Sequence, residues 1–260
     1  VKTAPLRSLT SSNMLLYIVI LFLVEFVRGA TVISFMPIYG EKVLGLSLDV
    51  IGAGITAHYV TDTALKLAIG YLMDRFAVRT LVNVGLFFSL IGVLLLHNAD
   101  VPWLFITAAA LYGIGISPIW IVCLTKVRED RRATQMGFLY TIWLVGLGAG
   151  PVVTNVLLDV GREMTYWILL ATALACWILS FFLPAEEHAH IDRTPFGQQL
   201  AILGERMKEM KTLLPGMVLQ TLGAGMLLPI LPSFAVNGLG MTSSQYSLLL
   251  VIGAGLPLSV

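Results

Sequence analysis

Five ionisable side chains sit inside runs that are otherwise apolar. Glu25 and Arg28 lie three residues apart in the run Met14–Met36, and His58, Asp62 and Lys66 follow at steps of four in Asp49–Leu72. Spacings of three and four put side chains on one face of a helix, so each run shows its charges as a stripe. Charges inside lipid are costly and turn toward a partner or a cavity. The chemistry they offer is proton exchange, because burial favours a neutral carboxyl and a neighbouring cation favours the carboxylate. Glu25 and Asp62 are expected to take up protons, with Arg28 setting the balance. His58 is either a member of that site or a buried hydrogen-bonder, and Lys66 is near enough to the end of its run to snorkel. The plain alternative is an inert ion-pair network that holds helices together.

The elements that must position these groups follow from composition. Of 260 residues, 57% are apolar and only 12% charged, with a mean hydropathy of +0.88. Soluble domains carry roughly twice that share of charge. Apolar runs of about 20 residues fit a bilayer core of about 30 Å, and backbone groups in lipid must be paired within the segment, so the runs are helices. Spans are predicted near Met14–Met36, Asp49–Leu72, Val78–Leu96, Trp103–Cys123, Thr134–Leu157, Thr165–Leu183, Leu213–Val236 and Ser243–Val260. With the N-terminus in the cytoplasm, 12 loop Lys and Arg residues fall inside and only Lys42 and Arg162 outside, the bias of a cell-membrane protein in that orientation. The sequence begins without Met and stops in an apolar run, which reads as an incomplete molecule. A net charge of +1 gives no basic face for nucleic acid. Cys123 and Cys176 both lie in apolar runs and suggest no disulfide framework. No HExxH, GxSxG or phosphate-binding loop occurs, and His58, His97, His188 and His190 form no metal-ligand pattern. Neither an enzyme, a metal site nor a cofactor is expected, and nothing calls for more than a monomer.

The organisation reads as three parts: 1–183, a six-helix transmembrane bundle; 184–212, a cytoplasmic connection; and 213–260, the start of a second bundle. In the connection, Phe196, Leu200, Leu203, Met207, Met210 and Leu214 recur at steps of four and three, a stripe suited to a helix lying on the inner membrane surface. An offset of 195 residues pairs Pro37, Tyr39, Leu44, Gly45 and Ser47 with Pro232, Phe234, Leu239, Gly240 and Thr242, and Glu25 with Gln220. Six helices, a cytoplasmic connection and a second set like the first make the parallel-repeat plan of many secondary transporters.

The turn between the second and third runs reads Gly70-Tyr71-Leu72-Met73-Asp74-Arg75-Phe76-Ala77-Val78-Arg79. It resembles the loop signature of the major facilitator superfamily, matching at Gly70, Leu72, Asp74, Arg75 and Arg79, with Ala77 in place of a Gly. The resemblance implies that Asp74 is a conformational latch, capping a helix of the other half and pairing with nearby Arg. Gly137, Gly146 and Gly150-Pro151 resemble the antiporter signature of the same superfamily, although Thr154-Asn155 stand where that pattern closes on a Gly pair. The intramembrane Arg usual in the fourth helix of drug–proton antiporters is missing, and Gly113, Gly115, Ser117 and Pro118 occupy that helix.

A narrower resemblance rests on Phe22-Leu23-Val24-Glu25-Phe26-Val27-Arg28-Gly29, Ser117-Pro118-Ile119-Trp120, Glu129-Asp130, Gln135-Met136-Gly137 and Pro229-Ile230-Leu231-Pro232. These stretches look like the branch of flippases from Gram-positive bacteria that move the glycolipid anchor of lipoteichoic acid. The branch implies proton-coupled antiport of a disaccharide-bearing diacylglycerol between leaflets, with Glu25, Arg28, Asp62, Trp120 and Trp143 in the sugar-binding part of the cavity; His58 is a further candidate from its place in the charged stripe. Asp74, where the branch has a base, and Pro151 depart from its pattern. The rival within the superfamily is proton-coupled efflux of an amphipathic drug or metabolite. Rivals outside it are a membrane-embedded glycosyltransferase and a receptor. Protons, membrane lipids and an amphipathic solute are thus the expected partners.

Overall fold

In a computed structural model the described residues are 12–184, 196–209, 211, 212, 215, 216, 219, 227 and 230–255, and the regular structure among them is helical throughout. The first run continues beyond the predicted Met36. Helix α1 (Ser12–Arg28) passes through a π-helical stretch, Gly29–Phe35, into α2 (Met36–Lys42). The Met36 N–H reaches Thr31 O, five residues back. Pro37 has no N–H to extend the ladder, and this wider turn lies just before it. Single π turns inside α-helices often mark functional sites.

Helices α3 (Leu48–Met73), α4 (Val78–Leu96), α5 (Pro102–Thr125), α6 (Arg132–Val160) and α7 (Arg162–Ser180) follow in up-and-down order. Each overlaps its predicted span. Among the described residues, five helical segments are long and apolar enough to cross a membrane: Met14–Lys42, Val78–Leu96, Pro102–Thr125, Glu129–Val160 and Arg162–Ser180. Helix α3 has the length, at 26 residues, and its charged stripe sets it apart from these five. Helix α8 (Phe196–Glu209) forms within the predicted connection, and α9 (Ser243–Gly255) opens the last predicted span. Most of Leu213–Val236, Gln220 included, lies outside the described residues, as do His188 and His190.

Helix α5 packs against both α3 and α4, and its small residues explain how. A Cβ on Gly113 would collide with the His58 carbonyl, and one on Gly115 with Gly85 O and Ser89 Oγ. Hydroxyls then close the crossings: Thr61 Oγ1 donates to Ala110 O at 2.9 Å and Ser89 Oγ to Tyr112 O at 3.0 Å. Across the bundle, α6 crosses α1 as closely. Gly29 faces the Leu147 carbonyl, and a Cβ on Gly150 would lie 2.6 Å from Ala30 N. Small residues at such contacts let membrane helices approach.

The 195-residue repeat extends to backbone hydrogen bonds. Gly45 and Gly240 adopt φ of 67° and 66°, the left-handed region that glycine enters freely. Leu44 N–H donates to Tyr39 O at 3.1 Å and Leu239 N–H to Phe234 O at 3.0 Å. Leu46 N–H reaches Gly40 O at 2.9 Å, and Met241 N–H reaches Ala235 O at 3.1 Å.

Candidate functional site

The two charged stripes meet. From α1, Arg28 Nη2 lies 2.6 Å from Glu25 Oε2, a close ion pair. Arg28 Nη1 is 3.9 Å from Asp62 Oδ2 on α3. Lys66 Nζ, one turn along α3, donates to the same Asp62 oxygen at 2.6 Å. The Ser117 hydroxyl of α5 sits between the Asp62 backbone carbonyl, at 2.7 Å, and the Asp62 Oδ1 oxygen. A chain of alternating sign results: Glu25, Arg28, Asp62, Lys66. Glu25 and Asp62 are almost wholly buried, and the Lys66 side chain is 34% exposed.

A cavity of about 150 Å³ opens beside this chain, lined by Glu25, Arg28, Lys66, Ile116, Trp120, Tyr140 and Trp143. Its aromatic wall is a triad. The Trp120 ring stands edge-on to Tyr140 at 5.2 Å and tilted to Trp143 at 6.2 Å. Tyr140 and Trp143, one turn apart on α6, are edge-on at 6.4 Å. The Arg28 guanidinium lies 5.7 Å from the centre of the Trp143 ring. An apolar ring face beside charged hydrogen-bonding groups suits an amphipathic or polyhydroxylated solute.

Five residues singled out from the sequence, Glu25, Arg28, Lys66, Trp120 and Trp143, thus share one cavity. Asp62 stands behind Arg28 and Lys66, off the lining. His58 is fully buried. Its ring stacks on Tyr112 at 5.2 Å and meets Tyr59 edge-on at 5.1 Å. The sequence reading passed over Ile116 and Tyr140. Each lies three or four residues from a chosen Trp, a helical spacing that would have found them.

The remaining motif residues lie elsewhere. Gly70 is in the last turn of α3, Asp74 and Arg75 form the turn after it, and Arg79 stands in the first turn of α4. The Arg75 guanidinium covers the Tyr71 ring at 3.6 Å, and its Nη1 donates to Tyr71 O at 3.3 Å. Gly150 and Pro151 belong to the crossing of α6 with α1. Among the described residues, no group of His, Cys, Asp and Glu is arranged to hold a metal ion.

The later segment touches the bundle at the end that carries Lys42. Asp159, at the end of α6, accepts the Ser243 and Ser244 N–H groups at 3.1 and 2.8 Å and the Ser244 hydroxyl at 2.5 Å. Thr242 and Gln245 complete a reciprocal cap there, so the first donors of α9 are satisfied. Glu41 accepts from Ser233 Oγ at 3.2 Å and Asn237 Nδ2 at 3.0 Å.

Comparison with known proteins agrees with this architecture. A family model described as Major Facilitator Superfamily matches residues 10–259. The proton-coupled antiporter flippase LtaA of Staphylococcus haemolyticus (strain JCSC1435) is 31% identical over 244 residues, 94% of this chain and 61% of that protein. The proton-coupled antiporter flippase LtaA of Staphylococcus aureus (strain USA300) is 29% identical over 242 residues, 93% of this chain and 61% of that protein. The chain therefore spans 61% of the length of these curated relatives. Apolar helices of membrane-crossing length, in up-and-down order and matched by one family model along nearly the whole sequence, lead to a single conclusion: this multi-pass membrane protein belongs to the Major Facilitator Superfamily.

Proposed function

We propose that the protein is a proton-coupled secondary transporter, not an enzyme, that works by alternating access and flips a glycolipid of the diglucosyl-diacylglycerol type across the cell membrane. The observation that carries this reading is the cavity in which a buried carboxylate–guanidinium pair faces three aromatic rings. Ring faces stack on sugar rings, and the charged groups hydrogen-bond hydroxyls while holding an exchangeable proton. At about 150 Å³ the cavity is smaller than the roughly 300 Å³ at which ligand pockets begin. The reading assigns the facing wall to the second bundle, which begins after 212. The names of the relatives support both proton coupling and flipping.

In this reading the N-terminus is cytoplasmic, the Lys42 end faces outward, and the charged chain of Glu25, Arg28 and Asp62 couples protons to transport. Gly70, Asp74, Arg75 and Arg79 gate the inner side, while Gly150 and Pro151 form the crossing about which α1 and α6 move. Purified protein in proteoliposomes with an imposed pH gradient provides the test. Flipping of fluorescent diglucosyl-diacylglycerol is expected, and Asp74→Asn should slow turnover while leaving equilibrium binding of that lipid nearly intact. Gradient-driven uptake of a lipophilic cation without glycolipid flipping would instead establish drug efflux. Gradient-independent movement of either solute would end the coupling reading.

A further inference from the structure

We infer that Lys66 reserves Asp62 as a standing anion and leaves Glu25 as the group that exchanges the proton. The inference rests on the coupling proposed above and divides its labour between the two carboxylates. They look equivalent in sequence, and their surroundings differ.

Asp62 has a full set of partners. Lys66 donates to Oδ2 at 2.6 Å, Arg28 stands 3.9 Å from the same oxygen, and the Ser117 hydroxyl reaches its Oδ1. Among the described residues, Glu25 is ion-paired to Arg28 alone, at 2.6 Å. Glu25 also lines the cavity, whereas Asp62 does not. Among the described residues, the other ionisable groups around the pair are His58 and Tyr59 on α3, Tyr112 on α5 and Tyr140 on the α6 wall.

A proton placed on each carboxylate has a different consequence. On Asp62 it would strand the ammonium of Lys66, two-thirds buried, whose ion-pair partner is that carboxylate. Leaving one partner of a buried pair uncompensated is costly. On Glu25 it loosens one contact, because the planar guanidinium of Arg28 still has Asp62 on its other side. The step is a simple transfer: a proton from water in the cavity adds to a Glu25 oxygen, Arg28 shifts toward Asp62, and the reverse step returns the proton. Lys66 acts through Asp62 and is a positioning residue.

The test needs no ligand. Arg28 sits 5.7 Å from the Trp143 ring, so moving it alters the indole's surroundings. Tryptophan fluorescence of the whole protein in nanodiscs would be followed across pH, with Trp143→Phe identifying the signal. The wild type is expected to show one transition, Glu25→Gln none, and Lys66→Arg a transition like the wild type. Lys66→Met and Lys66→Gln should each add a second transition, or move the first by about one pH unit or more. In Lys66→Met/Asp62→Asn the added transition should vanish. The Gln variant keeps the test available if the Met variant does not fold. If both neutral variants titrate as the wild type while Glu25→Gln loses its transition, the role of Lys66 is overturned and coupling through Glu25 stands. If Glu25→Gln keeps the wild-type transition, coupling through Glu25 fails, whatever Lys66 does.

Discussion

Two pairs of carboxylates in this molecule do different work. Glu25 and Asp62, mid-bundle, face cations: Arg28 and Lys66. Glu41 and Asp159, at the Lys42 end, face hydroxyls, an amide and backbone N–H groups of the later segment. An ion pair in a poorly polarisable interior is governed by charge balance, which a proton resets. A carboxylate that accepts from fixed N–H donors is governed by direction, and it holds two backbones in register. The same side chain thus meets cations in one place and fixed donors in the other, which in the proposed reading suits the first to proton exchange and the second to docking.

The largest expected effect breaks the first region. Arg28→Ala leaves Glu25 buried without its cation, and removing one member of such a pair costs about 3–5 kcal/mol. Thermal unfolding in detergent should show a large fall in Tm together with loss of transport. A wild-type Tm would mean that the ion pairs contribute little to holding the bundle.

A smaller effect tests the crossing that carries Glu25 past α6. Gly150→Ala would press a methyl group toward Ala30 N, and overpacking of this kind costs about 1–3 kcal/mol. Gly148, two residues earlier, has nothing within 4 Å of where a Cβ would sit, so Gly148→Ala should leave Tm nearly unchanged. Equal responses from the two variants would refute the close crossing.

The smallest effect probes the docking region. Asp159→Ala removes the acceptor for the first N–H groups of α9, and a lost cap is worth about 1 kcal/mol. Hydrogen exchange at Ser243 and Ser244 should speed up about fivefold, with little change in α4 or α5. Unchanged protection at both amides would show that Asp159 does not hold that end.

Much of the fold was legible because lipid leaves few options. Runs of about 20 apolar residues have to be helices, and α4 coincides with its predicted span, Val78–Leu96. The stripes Glu25/Arg28 and His58/Asp62/Lys66 were legible from helical spacing alone. The π turn that carries α1 on to Lys42 was not, because hydropathy does not register a change in hydrogen-bond ring size. Nor was the fate of His58, since spacing gives a residue's face and says nothing of what that face meets. It meets Tyr112.

By itself, the sequence determined that the chain is a set of membrane helices, that two of them carry charge near mid-span, and that a helix-loop-helix unit recurs 195 residues on. Those properties are periodic and local, so they are written along one strand of text. Only the tertiary structure decided that Arg28 of α1 comes to stand beside Asp62 of α3, that Tyr140 joins the two Trp residues in one wall, and that Asp159 caps a helix 84 residues further on. These depend on which helix faces lie within a few ångströms of one another. That is set by close crossings such as Gly29 against Leu147 and Gly113 against His58, where the absence of a side chain on one helix decides which groups of another it meets.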